Sequence, residues 1–121
     1  MSTGECNLDT EKGKILVVDD ELGMRQGIKR ILELQGFSVD TAESGSEGIE
    51  LGVAQEYDLY FIDLKMPDLD GTEVLRSIKL AYPEAICMIV TAFASIDSAV
   101  TTTQMGAYRY IPKPFDPDEL L

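Results

Sequence analysis

Short apolar runs alternate along the chain with longer stretches in which apolar residues recur at helical spacing. The predicted strands are Lys14–Asp19, Phe37–Thr41, Asp58–Asp63, Ile86–Thr91 and Ala107–Ile111. The predicted helices span residues 22–35, 44–55, 72–82 and 95–105. Because each strand is followed by a helical pattern, the sequence predicts βαβ units. The fold class is α/β, a doubly wound five-stranded parallel sheet with helices on both faces.

The two ends of the chain differ from this repeating pattern. Residues 1–13 are polar and show no periodicity, so we interpret them as a flexible N-terminal segment. Residues 14–121 then form a single domain. Residues 117–121 resemble only the first turn of a fifth helix, and one isolated turn is marginal in water. We therefore expect this truncated fifth helix to continue beyond residue 121.

Polar and charged residues follow the predicted strands at their carboxyl ends. Asp19 and Asp20 end the first strand, Asp63 the third and Thr91 the fourth, while the fifth leads into Lys113. In doubly wound sheets, ligands bind beyond the carboxyl ends of the strands. We therefore expect three carboxylates, one hydroxyl and one ammonium to meet at one edge of the sheet.

This set of side chains is suited to phosphoryl chemistry with a divalent cation. Adjacent carboxylates repel one another, and Mg²⁺ relieves the repulsion because it takes carboxylate and phosphate oxygens as ligands. A carboxylate such as Asp63 forms an acyl phosphate when a metal and a cation such as Lys113 neutralise the incoming group. The plain alternative for Asp19 and Asp20 is that they only cap the first helix.

Composition excludes several other functions. Twenty-two acidic against 10 basic residues give a net charge of −12, which disfavours contact with nucleic acid or an anionic membrane. The chain contains no His, so His-based triads and His metal sites are excluded. Cys87 lies in an apolar run far from Cys6, which fits a reduced core thiol and a cytoplasmic protein. No apolar stretch reaches membrane-spanning length.

Four motifs make the chain resemble the receiver domain of a two-component response regulator. They are VVDDE at 17–21, FIDLKMPDLDG at 61–71, IVTAFAS at 89–95 and YIPKPF at 110–115. The resemblance implies a flavodoxin-like and CheY-like sheet with strand order 2-1-3-4-5. The wording of the second and third motifs is most similar to receivers attached to σ54-dependent transcriptional activators.

The resemblance also implies a role for each matching position. Asp63 is the phosphoacceptor, and Thr91 and Lys113 contact the phosphoryl group. The implied ligands of Mg²⁺, with Mn²⁺ as an alternative, are Asp20 directly, Asp19 partly through water, Asp63 and the backbone carbonyl of Lys65. Thr91 and Tyr110 form the switch, and Tyr110 moves inward after phosphorylation. The phosphodonor is a sensor histidine kinase or a phosphotransfer protein.

Further residues are candidates for tuning and docking. Lys65 and Phe93 flank the acceptor region, where we expect them to influence the lifetime of the phosphoryl group. Arg25, Lys29 and Arg30 form a basic cluster on the first helix, and in this family that helix helps to dock the kinase. The switching face comprises the fourth helix, the fifth strand and the fifth helix, and it is a candidate surface for a homodimer or an output domain.

Two alternatives differ in class from a phosphorylated receiver. An aspartyl-phosphate hydrolase of the haloacid dehalogenase type requires Asp-x-Asp after a strand, whereas Asp19 and Asp20 are adjacent, so we reject it. A receiver-like binding module that is never phosphorylated stays open, although every acidic and Lys position is present. The resulting expectation is a signalling switch that phosphorylates and dephosphorylates itself, not an enzyme acting on an external metabolite.

Overall fold

One parallel sheet organises the computed structural model, which describes residues 13–92 and 95–113. The strands are β1 (Gly13–Val18), β2 (Phe37–Ala42), β3 (Leu59–Ile62), β4 (Cys87–Thr91) and β5 (Arg109–Pro112). The helices are α1 (Leu22–Leu34), α2 (Gly45–Ala54), α3 (Gly71–Ala81) and α4 (Ile96–Gln104). The strand order is β2-β1-β3-β4-β5, as the resemblance implies, and every pairing is parallel, as the sequence pattern predicts.

Successive side chains of each strand point to opposite faces of the sheet. Both faces carry buried apolar side chains. Ile15 and Val17 of β1 pack with Ile28 and Leu32 of α1 on one face. Leu16 and Val18 lie on the other face, in the cluster that includes apolar residues of α3. Each fully buried Leu or Ile contributes roughly 1.5–3 kcal/mol relative to leaving it exposed. Helices on both sides therefore hold the strands, and with them the strand ends, in place.

Polar caps and close contacts set where the helices begin. The side chains of Ser44, Asp70 and Ser95 accept backbone N–H bonds in the first turns of α2, α3 and α4. Helix α2 lies close to the sheet because Gly48 faces β1, where a Cβ atom would stand 2.6 Å from the Cγ1 of Val18. The helix starts next to the carboxyl edge of the sheet are thus fixed by local chemistry.

Some details of the predicted elements differ from the structure. Strand β5 begins two residues later than predicted, because the N–H of Ala107 still bonds to the carbonyl of Thr102 at the end of α4. Leu34 and Leu80, apolar residues within the predicted helices, are 76% and 77% exposed. Each lies two positions after a buried helix residue, a spacing that turns a side chain away from the core.

Other sequence expectations concern the cysteines, membrane segments and chain ends. Cys87 is a buried free thiol, and burial raises its pKa to about 12, so it is a protonated core residue. None of the helices within the two described ranges combines the length and apolar character needed to cross a membrane. The predicted N-terminal segment to residue 12, Cys6 and the fifth helix lie outside the described residues.

Candidate functional site

The carboxyl ends of the strands bring the predicted acidic residues together. Asp19 and Asp20 follow β1, and Asp63 follows β3, the neighbouring strand in the sheet. One carboxylate oxygen from each of the three lies within 4.8 Å of the others. Asp19 and Asp63 are buried, at 2% and 6% exposure, whereas Asp20 is exposed. Two carboxylates of the site are therefore buried, and the third is open to solvent.

Lys113 reaches this acidic cluster from the end of β5. Its Nζ lies 2.8 Å from Oδ2 of Asp19 and 3.4 Å from Oδ2 of Asp63. The backbone N–H of Lys113 donates to the carbonyl of Thr91 at 2.8 Å, which anchors the residue beside β4. Burial lowers the pKa of Lys113, but the hydrogen bond and charge of Asp19, with the charge of Asp63, outweigh it and raise the pKa overall. The ammonium is therefore held in its charged form.

The surroundings of Asp63 oppose the ionisation of its carboxyl group. Burial raises its pKa, and the charge of Asp19 raises it further. Lys113, the N–H of Lys65 and the hydroxyl of Thr91 act in the opposite direction, but they do not cancel the effect. The N–H of Lys65 lies 3.4 Å from Oδ1 of Asp63. A nearby cation would relieve this destabilisation.

The residues present fit a hard divalent cation. Mg²⁺ is held by oxygen ligands, usually one or two carboxylates together with water and phosphate oxygens. Asp19, Asp20 and Asp63 supply such oxygens within coordinating reach of one another. A cleft of about 420 Å³, lined by Asp20, Asp63, Lys65 and Lys113 among others, adjoins them and leaves room for water and a phosphoryl group.

Gly71 sets the backbone of the acceptor residue, and the sequence analysis did not identify it. A Cβ atom at this position would stand 2.2 Å from the carbonyl oxygen of Asp63 and 2.7 Å from the Cα of Leu64. The N–H of Gly71 also donates to the carbonyl of Leu64 at 2.8 Å. Only a residue without a side chain lets α3 begin this close to Asp63. In the sequence, the glycine that ends the motif FIDLKMPDLDG was the feature that could have identified this position.

Asp68 is a second residue that the sequence analysis passed over. Its carboxylate accepts from the N–H groups of Gly45 and Ser46 and from the hydroxyl of Ser46, at 2.7–3.0 Å. It also accepts from the N–H of Leu69 at 2.9 Å. These bonds, led by the Ser46 hydroxyl, lower the pKa of Asp68 to about 2. Asp68 thus ties the loop after β3 to the start of α2, which steadies the loop that carries Lys65.

The predicted docking cluster on α1 divides into two environments. Arg30 is exposed and Lys29 is partly exposed, as a partner contact requires. Arg25 is only 7% exposed, and its Nη1 donates to the backbone carbonyl of Asp19 at 2.9 Å. The charged group of Arg25 therefore bonds within the domain, and the other two residues of the cluster have the more exposed side chains. The docking role of the cluster stays a prediction. Helical spacing carried a signal for the burial of Arg25, because Arg25 precedes buried Ile28 by three residues and so lies on the same face of α1.

Tyr110 lies on β5 and contacts the start of α4. Its ring packs partly buried against the larger apolar cluster of the sheet. Its hydroxyl forms a short hydrogen bond with the hydroxyl of Ser98 and accepts from the N–H of Ser95 at 3.3 Å. The candidate switch residue is therefore joined to the cap of α4. Phe93, the other candidate for tuning, lies outside the described residues.

Comparison with known proteins gives consistent results. The model of the response regulator receiver domain family matches residues 15–121. The chain is 37% identical over 108 residues to the cell cycle transcriptional regulator CtrA of Caulobacter vibrioides, covering 89% of this chain and 47% of CtrA. The corresponding regulator of Brucella ovis is 36% identical over the same length and with the same coverage. The chain thus spans about half the length of the curated relatives it matches.

Solved structures show the same architecture. A CheY-like response regulator receiver domain protein from Methanospirillum hungatei has a TM-score of 0.85 and 34% identity, with 88% of this chain and 86% of that chain covered. NtrX from Brucella abortus, solved with ADP, has a TM-score of 0.83 and 33% identity, covering 89% of this chain and 25% of that one. On its fold, its acidic site and these similarities, the chain belongs to the response regulator receiver domain family.

Proposed function

We propose that this receiver domain, residues 14–121, accepts a phosphoryl group on Asp63 in a reaction that depends on Mg²⁺. The single observation that carries the proposal is the position of Asp63. It lies buried at the end of β3, with two further carboxylates within coordinating distance and a lysine ammonium 3.4 Å away. The donor is a phosphohistidine on a sensor histidine kinase or phosphotransfer protein in the cytoplasm. Mn²⁺ is an alternative to Mg²⁺.

In the proposed reaction an oxygen of Asp63 attacks phosphorus, and the bond between phosphorus and the donor's imidazole nitrogen breaks. The imidazole leaves with the electron pair of that bond and takes up a proton. Asp19 and Asp20, with the carbonyl of Lys65, would hold the metal, which neutralises charge on the phosphoryl oxygens. Lys113 and Thr91 supply an ammonium and a hydroxyl to the same oxygens. The raised pKa of Asp63 supports a bound cation, since a cation offsets the repulsion between the Asp63 and Asp19 carboxylates.

Phosphorylation then switches the surface around α4 and β5. The added group carries close to two negative charges and three acceptor oxygens, which gives Thr91 and Lys113 new partners. The hydrogen bonds of Tyr110 to Ser95 and Ser98 support a link from β5 to the start of α4. Exposed Ile96 and Val100 on α4, with exposed Tyr108 just before β5, offer an apolar surface for an output domain or a homodimer.

The proposed output is transcription, because the Caulobacter vibrioides relative, of which this chain covers 47%, is named a cell cycle transcriptional regulator. Attachment to a σ54-dependent activator stays a prediction from the motif wording. Net charge of −12 supports a role in which this segment contacts protein and not nucleic acid. The segment would act as a switch, without turnover of an external metabolite.

The test is phosphorylation by acetyl phosphate with Mg²⁺, followed by intact mass or a phosphate-affinity gel. We expect one added phosphoryl group on the wild-type chain and none on Asp63→Asn. Asp97→Asn, which changes an exposed carboxylate on α4, is the matched control and should be labelled like the wild type. Chelation of Mg²⁺ should abolish labelling. A wild-type chain that gains no phosphoryl group would instead support the binding module that is never phosphorylated.

A further inference from the structure

Arg25 contacts the acidic turn between β1 and α1 through its side chain. The side chain is 7% exposed, and Nη1 donates to the carbonyl of Asp19 at 2.9 Å. The backbone N–H of Arg25 makes only the ordinary helical bond, to the carbonyl of Glu21 four residues earlier. The guanidinium bond is therefore the contact by which Arg25 holds the segment that presents Asp19 and Asp20.

The same turn receives little help from the ordinary capping of α1. Glu21 precedes the helix, but its side chain makes no capping hydrogen bond. The N–H of Glu21 is instead bonded to Oδ1 of Asp19 at 2.9 Å. The Asp19 carboxylate thus accepts from the Glu21 amide and from Lys113, and the Asp19 carbonyl accepts from Arg25. Burying a guanidinium is costly unless it is paired, so such burial needs compensation from these bonds.

We infer that Arg25 is a positioning residue for the metal site, which holds the backbone of Asp19 so that the carboxylates of Asp19 and Asp20 converge with Asp63. The inference rests on the proposed function, since it assumes that these carboxylates bind Mg²⁺. On this inference the guanidinium of Arg25 acts within the domain, on the backbone of Asp19, and not as a surface contact for a partner kinase.

The charge of Arg25 and its positioning role predict opposite changes in Mg²⁺ affinity when the residue is neutralised. Arg25 carries a positive charge near a cation site, so by charge alone its neutralisation should tighten Mg²⁺ binding. If Arg25 positions the turn, its neutralisation should weaken Mg²⁺ binding, because the ligands lose their arrangement. Loss of a residue that orients metal ligands typically costs roughly 10–100-fold in metal affinity. The sign of the change therefore separates the two roles.

The experiment measures Mg²⁺ affinity by isothermal titration calorimetry for wild type, Arg25→Gln, Arg25→Lys and Arg30→Gln. We expect Arg25→Gln to bind Mg²⁺ roughly tenfold more weakly. Arg25→Lys, which keeps a donor and a charge, should recover most of the affinity. Arg30→Gln removes the same charge from an exposed position of α1 and should stay close to wild type. Unchanged or tighter binding by folded Arg25→Gln would overturn the inference.

A second measurement reports the turn itself without any metal. Hydrogen exchange of the Glu21 amide, which is bonded to Asp19, should be faster in Arg25→Gln than in Arg30→Gln. If Arg25→Gln does not fold, Arg25→Met replaces it, because Met fills the space of the aliphatic part of the side chain. Arg25→Met should likewise bind Mg²⁺ more weakly and exchange the Glu21 amide faster. A wild-type chain that binds no Mg²⁺ would overturn both this inference and the proposed function. If wild type binds Mg²⁺ and is phosphorylated, and Arg25→Gln shows the same Mg²⁺ affinity and amide exchange, the inference is overturned while the proposed function stands.

Discussion

Lys113 lies closer to Asp19 than to Asp63, with its Nζ 2.8 Å from one carboxylate and 3.4 Å from the other. The ammonium therefore neutralises the buried acid that follows β1 more fully than the acid that follows β3. Asp63 keeps a raised pKa, caused first by burial and then by the charge of Asp19. A bound cation would therefore stabilise the ionised form of Asp63, the acceptor candidate.

Replacing Lys113 by Met should strongly destabilise the metal-free chain. Removing one member of a buried ion pair leaves uncompensated charge and costs about 3–5 kcal/mol. Added Mg²⁺ should restore part of this loss, because it would neutralise the same carboxylates. Urea unfolding with and without Mg²⁺ measures both effects. The control is Arg76→Met, which breaks the exposed pair with Glu73 and should cost at most about 1 kcal/mol. A similar small cost for Lys113→Met would contradict the prediction.

Asp63→Asn should stabilise the metal-free chain at pH 7. Because the pKa of Asp63 is raised on folding, the folded chain binds its proton more tightly than the unfolded chain. The ionised carboxylate therefore opposes folding above its folded pKa, and this penalty fades as the pH falls towards the ordinary value of 3.8. We expect the melting temperature of Asp63→Asn to exceed that of wild type by a few degrees, with the difference shrinking on acidification. Asp97→Asn should show no such pattern, and a destabilised Asp63→Asn at pH 7 would refute the argument.

Gly71→Ala should disturb the acceptor without touching its side chain. The new methyl group would overlap the carbonyl oxygen of Asp63, which is backbone and cannot rotate away. Overpacking of this kind typically costs roughly 1–3 kcal/mol, and labelling by acetyl phosphate should slow as well. Gly27→Ala is the control, since a Cβ atom there meets nothing within 4 Å. It should stabilise α1 by roughly 0.5–1 kcal/mol, and the prediction fails if both variants behave alike.

Asp68→Ala should lower stability at neutral pH and have no effect in strong acid. The pKa of Asp68 is lowered to about 2 by its bonds to Ser46, Gly45 and Leu69. Its stabilising effect is therefore present above the ordinary pKa of 3.8 and is lost as the pH falls through about 2. Thermal unfolding of wild type and variant across this range should show the two curves converging. Glu84→Gln, at an exposed position, is the comparison, and a pH-independent difference for Asp68→Ala would count against the carboxylate.

Tyr110→Phe should loosen the start of α4 while keeping the ring packed. The change removes the hydroxyl that bonds to Ser98 and to the N–H of Ser95. We expect a loss of about 1 kcal/mol and faster hydrogen exchange at the Ser98 amide. Tyr108→Phe alters a tyrosine that is 68% exposed and should leave that amide unchanged. Equal exchange in both variants would show that the Tyr110 hydroxyl does not hold the helix.

The sequence by itself determined the order of the elements and the residues at the carboxyl edge of the sheet. Alternation of short apolar runs with helical spacing indicates parallel βαβ units, and parallel strands place their carboxyl ends at one edge. Asp19, Asp63, Thr91 and Lys113 therefore meet, although Lys113 and Asp19 are 94 residues apart. Local periodicity and one topological rule are sufficient for this result.

Only the tertiary structure decided how those side chains and their neighbours are arranged. Asp19 rather than Asp63 receives the shorter contact from Lys113, Arg25 turns inward to the Asp19 carbonyl, and Asp68 bonds to α2 across 22 or more residues. Gly71 matters because the backbone of Asp63 lies beside it. These contacts depend on ångström-scale packing between elements that are distant in sequence. Residue type and spacing do not encode such distances. The sequence therefore identifies the residues at the site, and the tertiary structure sets the contacts among them.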